Sequence, residues 1–98
     1  MIINGFIWFS DIIDKLEEKH GVSQAEVENL FTCKPFFSII QRGKVKGENL
    51  YRALGQTEAG RYLVSFFIYK RNHHVLVIST RDMTDKERKH YAKKRQNK

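Results

Sequence analysis

The side chains of this 98-residue chain that could do chemistry are four histidines, one cysteine, eleven acids and eighteen lysines and arginines. Their spacing excludes several reaction classes. There is no GxxxxGKS/T, no GxGxxG after a strand, no HExxH and no GxSxG. His73 and His74 are adjacent on an expected turn, where neighbouring side chains diverge, and Cys33 completes no zinc spacing. Nucleases that use magnesium need clustered carboxylates. Here most acids fall on the first two helical stretches, interleaved with an apolar face and pointing to water. What remains is chemistry by nitrogen bases and cations, and no cofactor or metal is expected.

The charge says what such cations would meet. Residues 1–33 hold two basic and six acidic side chains, a net of −4, and residues 34–98 hold sixteen and five, a net of +11. That asymmetry predicts one face that repels phosphate and one that attracts it. RNA is a polyanion that brings its own nucleophile. A base removes the 2′-OH proton, cations stabilise the charge developing on phosphorus, and an acid protonates the leaving 5′-oxygen. His20 is a candidate base or acid, because an imidazole exchanges a proton near neutral pH. Arg61 and Arg81 are candidate phosphate grips, because a guanidinium fork matches phosphate oxygens. Arg81 is expected in phase with Ser79, Val77 and Val75, leaving the sheet on their face. Glu48, Glu87 and Tyr91 are further proton-transfer candidates. Each of these residues, taken alone, is better explained by a surface ion pair or a helix cap.

The elements that position them follow from pattern. With 41% hydrophobic residues, twelve of them aromatic, the chain is apolar enough for a packed core, and its length suits one domain. Ile2 to Phe9 reads as a short strand. Ser10 is placed to cap a helix over residues 11–20 that Gly21 stops. Ser23 and Glu26 form a capping box ahead of a second helix, which ends before Pro35. Period-two stretches follow at 36–41, 50–55, 61–70 and 75–80, separated by short turns. The third has both faces apolar and is expected to be central. Together they predict an α+β fold: two N-terminal helices packed on one face of an antiparallel meander, then a basic C-terminal helix from a second capping box, Thr84 to Glu87. That last helix has little to bury beyond Tyr91 and Ala92 and is expected to be the least stable element. A lone cysteine, no signal peptide and no apolar run of membrane length place the protein in a reducing cytoplasm, by expectation.

The order of residues resembles that of the BrnT family of type II toxin–antitoxin systems. Trp8, Lys19-His20-Gly21, Gly47-Glu48, Arg61 within AGRYLVSFF, and Ile78 to Asp82 followed by Glu87 and Tyr91 stand in the family's sequence and spacing. The resemblance implies a RelE-like fold and metal-independent endoribonuclease activity that arrests growth. It also implies a BrnA-like antitoxin, whose ribbon-helix-helix domain binds operator DNA. Carried onto this chain, it gives Lys19, His20, Glu48, Arg61, Arg81, Glu87 and Tyr91 as the functional set. Lys19, Lys44, Lys46, Arg52, Lys89 and Lys93 are the expected RNA contacts. The chain departs from the family pattern at Phe9, Ile12 and Leu16, which are apolar where the family carries polar residues, and at Thr80, which replaces an alanine. Two other readings stay open on the residues alone. One is a non-catalytic RNA-binding module that stacks bases on Tyr51, Tyr62 and Tyr69. The other is an interaction protein neutralised by an acidic partner.

Overall fold

In the computed structural model, which describes residues 1–45 and 48–96, the helical half is set by local signals. Helix α1 (Ser10–His20) stops at Gly21, whose φ of 60° is left-handed backbone that glycine adopts without strain. Helix α2 (Gln24–Thr32) starts on the expected capping box. Ser23 Oγ accepts from the Glu26 N–H at 3.1 Å, and the Glu26 carboxylate accepts from the Ser23 N–H at 3.0 Å. The start of α1 differs from expectation. Phe9 holds the cap position with no side-chain bond, and Ser10 is the first helical residue. The Ile12 and Ile13 N–H groups both turn to the Phe9 carbonyl instead.

Strands β2 (Phe36–Gln41), β3 (Leu50–Gln56), β4 (Tyr62–Tyr69) and β5 (His74–Asp82) form the expected antiparallel meander. The first strand is shorter than expected. β1 (Gly5–Ile7) pairs parallel to β5, so the sheet is mixed, in the order β1-β5-β4-β3-β2. The central strand is β4. Leu63 and Phe67 face α1 and α2 in a core with Leu16, Val27, Leu30, Phe31, Val75 and Val77. Between them Ser65 is fully buried, and its hydroxyl accepts from Thr80 at 2.9 Å, which satisfies both.

Helix α3 (Asp85–Gln96) does not join α1 and α2. It lies on the opposite side, where Tyr91 is 6% exposed in a second core with Leu54, Val64 and Met83. The Tyr91 ring meets Phe36 and Tyr62 edge-on at 5.5 and 6.0 Å between centroids. A single aromatic therefore docks a helix that is otherwise polar. Its capping box forms as expected, with Thr84 Oγ1 accepting from Glu87 N–H and the Glu87 carboxylate accepting from Thr84 N–H. No helix among the described residues is long and apolar enough to cross a membrane.

One irregularity decides where the arginines go. Phe66 pairs with Ser79 but Phe67 pairs with Val77, so Ile78 is an extra residue in β5. Such a bulge reverses side-chain alternation along the strand. Val75 and Val77 face α1 and α2, whereas Ser79 and Arg81 face α3. The expectation that Arg81 is in phase with Val77 and Val75 is corrected accordingly.

Candidate functional site

Arg61 immediately precedes β4 on the α1–α2 side and has all five of its N–H donors occupied. Nε and Nη2 form a two-pronged contact with the Asp82 carboxylate at 2.7 and 3.0 Å. Nη2 also donates to the His20 carbonyl at 3.0 Å, and Nη1 donates to the Gly21 carbonyl at 2.8 Å and to Glu26 at 3.1 Å. The guanidinium thus ties the end of α1, the start of α2 and the end of β5 to one point. Bonding to Asp82 and then Glu26 raises the Arg61 pKa. In return Asp82 is held below its ordinary range, chiefly by those Arg61 bonds. Glu26 is lowered first by the Ser23 N–H and then by Arg61. A phosphate reaching Arg61 must displace a carboxylate or a helix-terminal carbonyl, so the geometry makes Arg61 a structural clamp.

Arg81 lies on the other face. Its Nη1 and Nη2 donate to the two Glu87 oxygens at 2.8 and 3.0 Å. Glu87 falls from 4.5 to about 2, first because of Arg81 and then because of the Thr84 N–H, against a desolvation that opposes the shift. The Arg81 Nε meets no acceptor among the described residues. Its guanidinium sits 5.6 Å from the centre of the Phe66 ring, and Phe66 pairs in register with Arg52. Arg52 is the unusual member. Its Nε is buried without a hydrogen-bond partner among the described residues, an arrangement that costs about 1–3 kcal/mol. Arg52, Thr84, Lys86, Glu87 and His90 line a cavity of about 400 Å³ at the first turn of α3. It gathers cations, one ionised carboxylate already matched to Arg81, and one imidazole.

The structure therefore divides the expected catalytic set. His20 and Arg61 share the α1–α2 face. Arg81, with Glu87, is on the α3 face, so the two arginines do not converge on one phosphodiester beside His20. Glu48 pairs with Lys70 at the far end of the sheet. Lys70 is six residues along the chain from Val64, the register partner of Arg81, or roughly 20 Å of extended strand. Tyr91 is one helical turn beyond Glu87 but is packed into the second core. Of the expected RNA contacts, Arg52 is in the cavity, Lys89 borders a neighbouring groove, and Lys19, Lys44 and Lys93 are exposed elsewhere. Lys46 lies outside the described residues. Sequence reasoning missed Lys86 and His90. Their signal was spacing: they stand i and i+4 on α3 and flank Glu87, so they share its side of the helix. Tyr51 stacks on Phe67 and Tyr69 packs against the same core, which leaves Tyr62 as the one of those three tyrosines that lines an open groove. Among the described residues no group of three or more His, Cys, Asp or Glu could hold a metal ion.

Comparison with known proteins bears on this geometry. A family model described as the ribonuclease toxin BrnT of type II toxin-antitoxin systems matches residues 9–87. The chain belongs to the BrnT toxin family. The crystal structure of the Brucella abortus ribonuclease toxin BrnT matches with a TM-score of 0.58 at 19% identity, over 83% of this chain and 97% of that one. At that identity the likeness shows a shared BrnT fold. No curated protein matches in sequence. Membership in this toxin family implies RNA as the class of substrate and a protein antitoxin as partner. The BrnT match includes Arg52, Arg61, Arg81 and Glu87, and ends before His90 and Tyr91.

Proposed function

We propose that this BrnT-family protein is a metal-independent endoribonuclease whose active site is the cavity at the start of α3. The observation that carries the reading is Arg52. Arg52 lines that cavity with Lys86 and His90; its Nε is sealed off, and its terminal N–H groups, which make no hydrogen bond among the described residues, are left to meet an anionic oxygen there. The free Nε–H of Arg81 and the ammonium of Lys86 add charge at the same place, where negative charge develops on phosphorus. Glu87, ionised down to about pH 2, is too weak a base for the 2′-OH. It acts as the brace that aims Arg81.

In this mechanism His90 takes the 2′-OH proton. The 2′-oxygen bonds to phosphorus as the P–O5′ bond breaks, and Lys86 supplies the proton to the departing 5′-oxygen. The products are a 2′,3′-cyclic phosphate and a 5′-hydroxyl. Arg61 supports this from the other face by fixing the end of β5, from which Arg81 projects. Growth arrest follows from loss of RNA in the cytoplasm. Neutralisation is by a BrnA-like antitoxin with a ribbon-helix-helix domain, and operator DNA is met only through that antitoxin.

The test is to incubate purified protein with RNA in EDTA and in magnesium and to map the product ends. The mechanism predicts equal cleavage in both, cyclic-phosphate termini, and no cleavage at a position carrying a 2′-deoxy sugar. Salt-steep RNA binding with no product in either buffer would refute catalysis and leave a binding module.

A further inference from the structure

The other flank of α3 holds a second concavity, of about 480 Å³, bounded by Tyr62, Arg88, Lys89, Tyr91, Ala92 and Arg95 among others. Arg88, Ala92 and Arg95 recur at helical spacing, turned away from Lys86 and His90. The aromatic part of its wall comes from Tyr62 and Tyr91. Arg88 stacks its guanidinium 4.1 Å from the centre of the Tyr62 ring, and Arg95 lies 5.7 Å from that of Tyr91. Arg95 Nη1 also donates to Gln56 Oε1 at 3.3 Å, which holds it against the rim. Among the described residues no carboxylate lines the groove.

We propose that this groove is a nucleobase subsite, in which one unpaired base of the RNA stacks on the Tyr62–Arg88 pair while its phosphate meets Arg95 and Lys89. The inference rests on the RNA-cleaving reading above and adds a place where a base of the substrate is held. Aromatic and guanidinium planes side by side suit the flat face of a base, and surrounding cations suit its backbone. An acidic peptide would use the cations but would have no need of the rings. The groove also lies across a single helix from the cavity lined by Arg52, Lys86 and His90, a width of about 10 Å. A single strand crossing the first turns of α3 therefore reaches both. Tyr62 and Arg88 would fix which phosphodiester enters the cavity.

The experiment uses a fluorescent 2′-O-methyl RNA of about ten nucleotides, which cannot be cleaved, and a series in which one base at a time is removed. Anisotropy is read for the wild type, Tyr62→Leu, Tyr62→Phe and Arg88→Ala. Loss of one base is expected to weaken wild-type and Tyr62→Phe binding by about tenfold. In Tyr62→Leu the same loss should have little effect, because the stacking partner is already gone. Arg88 is exposed, so Arg88→Ala keeps the test valid if Tyr62→Leu fails to fold, and it should reduce the penalty at that same base. An equal penalty at every position in wild type, Tyr62→Leu and Arg88→Ala would overturn the subsite while leaving the nuclease reading in place. Failure of the wild type to bind any of the RNAs would overturn both.

Discussion

Glu87 joins two tasks in one carboxylate: it caps α3 through the Thr84 N–H and braces Arg81 with two bonds. Glu87→Gln separates them, because glutamine can keep the cap but cannot neutralise a guanidinium. The fall of the Glu87 pKa from 4.5 to about 2 corresponds to about 3 kcal/mol of linkage. The Arg81 side chain is 33% exposed, so solvent screening reduces the expected loss to about 2 kcal/mol. For a domain of this size that lowers the Tm by roughly 8–16 °C. The sign with pH follows from a depressed folded-state pKa. The stabilisation is complete above about pH 4.5 and disappears as pH falls through about 2. Thermal unfolding of both proteins from pH 7 to pH 2 should therefore show a constant gap down to about 4.5 and convergence below it. A gap that persists unchanged at pH 2, or none at neutral pH, would refute the assignment of this pair as a stabilising brace.

Arg61→Lys keeps the charge and loses the fork. Of the five donor interactions at most three can be remade, so we expect a loss of about 2–4 kcal/mol in chemical unfolding, with RNA cleavage retained wherever the variant is folded. Loss of cleavage at full stability would instead put Arg61 on the substrate. Amide hydrogen exchange in α3 should be faster than in β3, β4 and β5, because Tyr91 is its only buried residue. Bound RNA should slow it, and protection equal to that of the strands in the free protein would contradict this.

Much of the framework could be read from residue pattern because its signals are local. Ser23 with Glu26, Thr84 with Glu87, and Gly21 each act within a few residues of themselves, and apolar residues on both faces of 61–70 identify the middle strand. What escaped depended on partners far away in sequence. The parallel pairing of β1 joins Gly5 to His74, and nothing in either segment specifies it. The extra residue at Ile78 reverses which side Arg81 takes, and one inserted position in a β-branched run leaves no mark on composition. That reversal also explains why the expected set is split between the two faces of the sheet. Arg81 and Glu87 pair on the α3 face, whereas the Arg61 guanidinium, which holds the His20 carbonyl, ties the opposite face together. His90 was passed over because a charged helix resembles a solvated one until the sheet beneath it is known.

The most direct test of the account is Arg52→Met, measured for stability and for RNA cleavage on the same preparation. Methionine follows the aliphatic stem of the arginine and removes the buried donor that has no acceptor, so the Tm should stay level or rise. Cleavage should fall by about 100-fold or more, as on loss of a transition-state donor. Unimpaired cleavage by a folded Arg52→Met protein would contradict the claim that RNA is cut in the cavity at the start of α3.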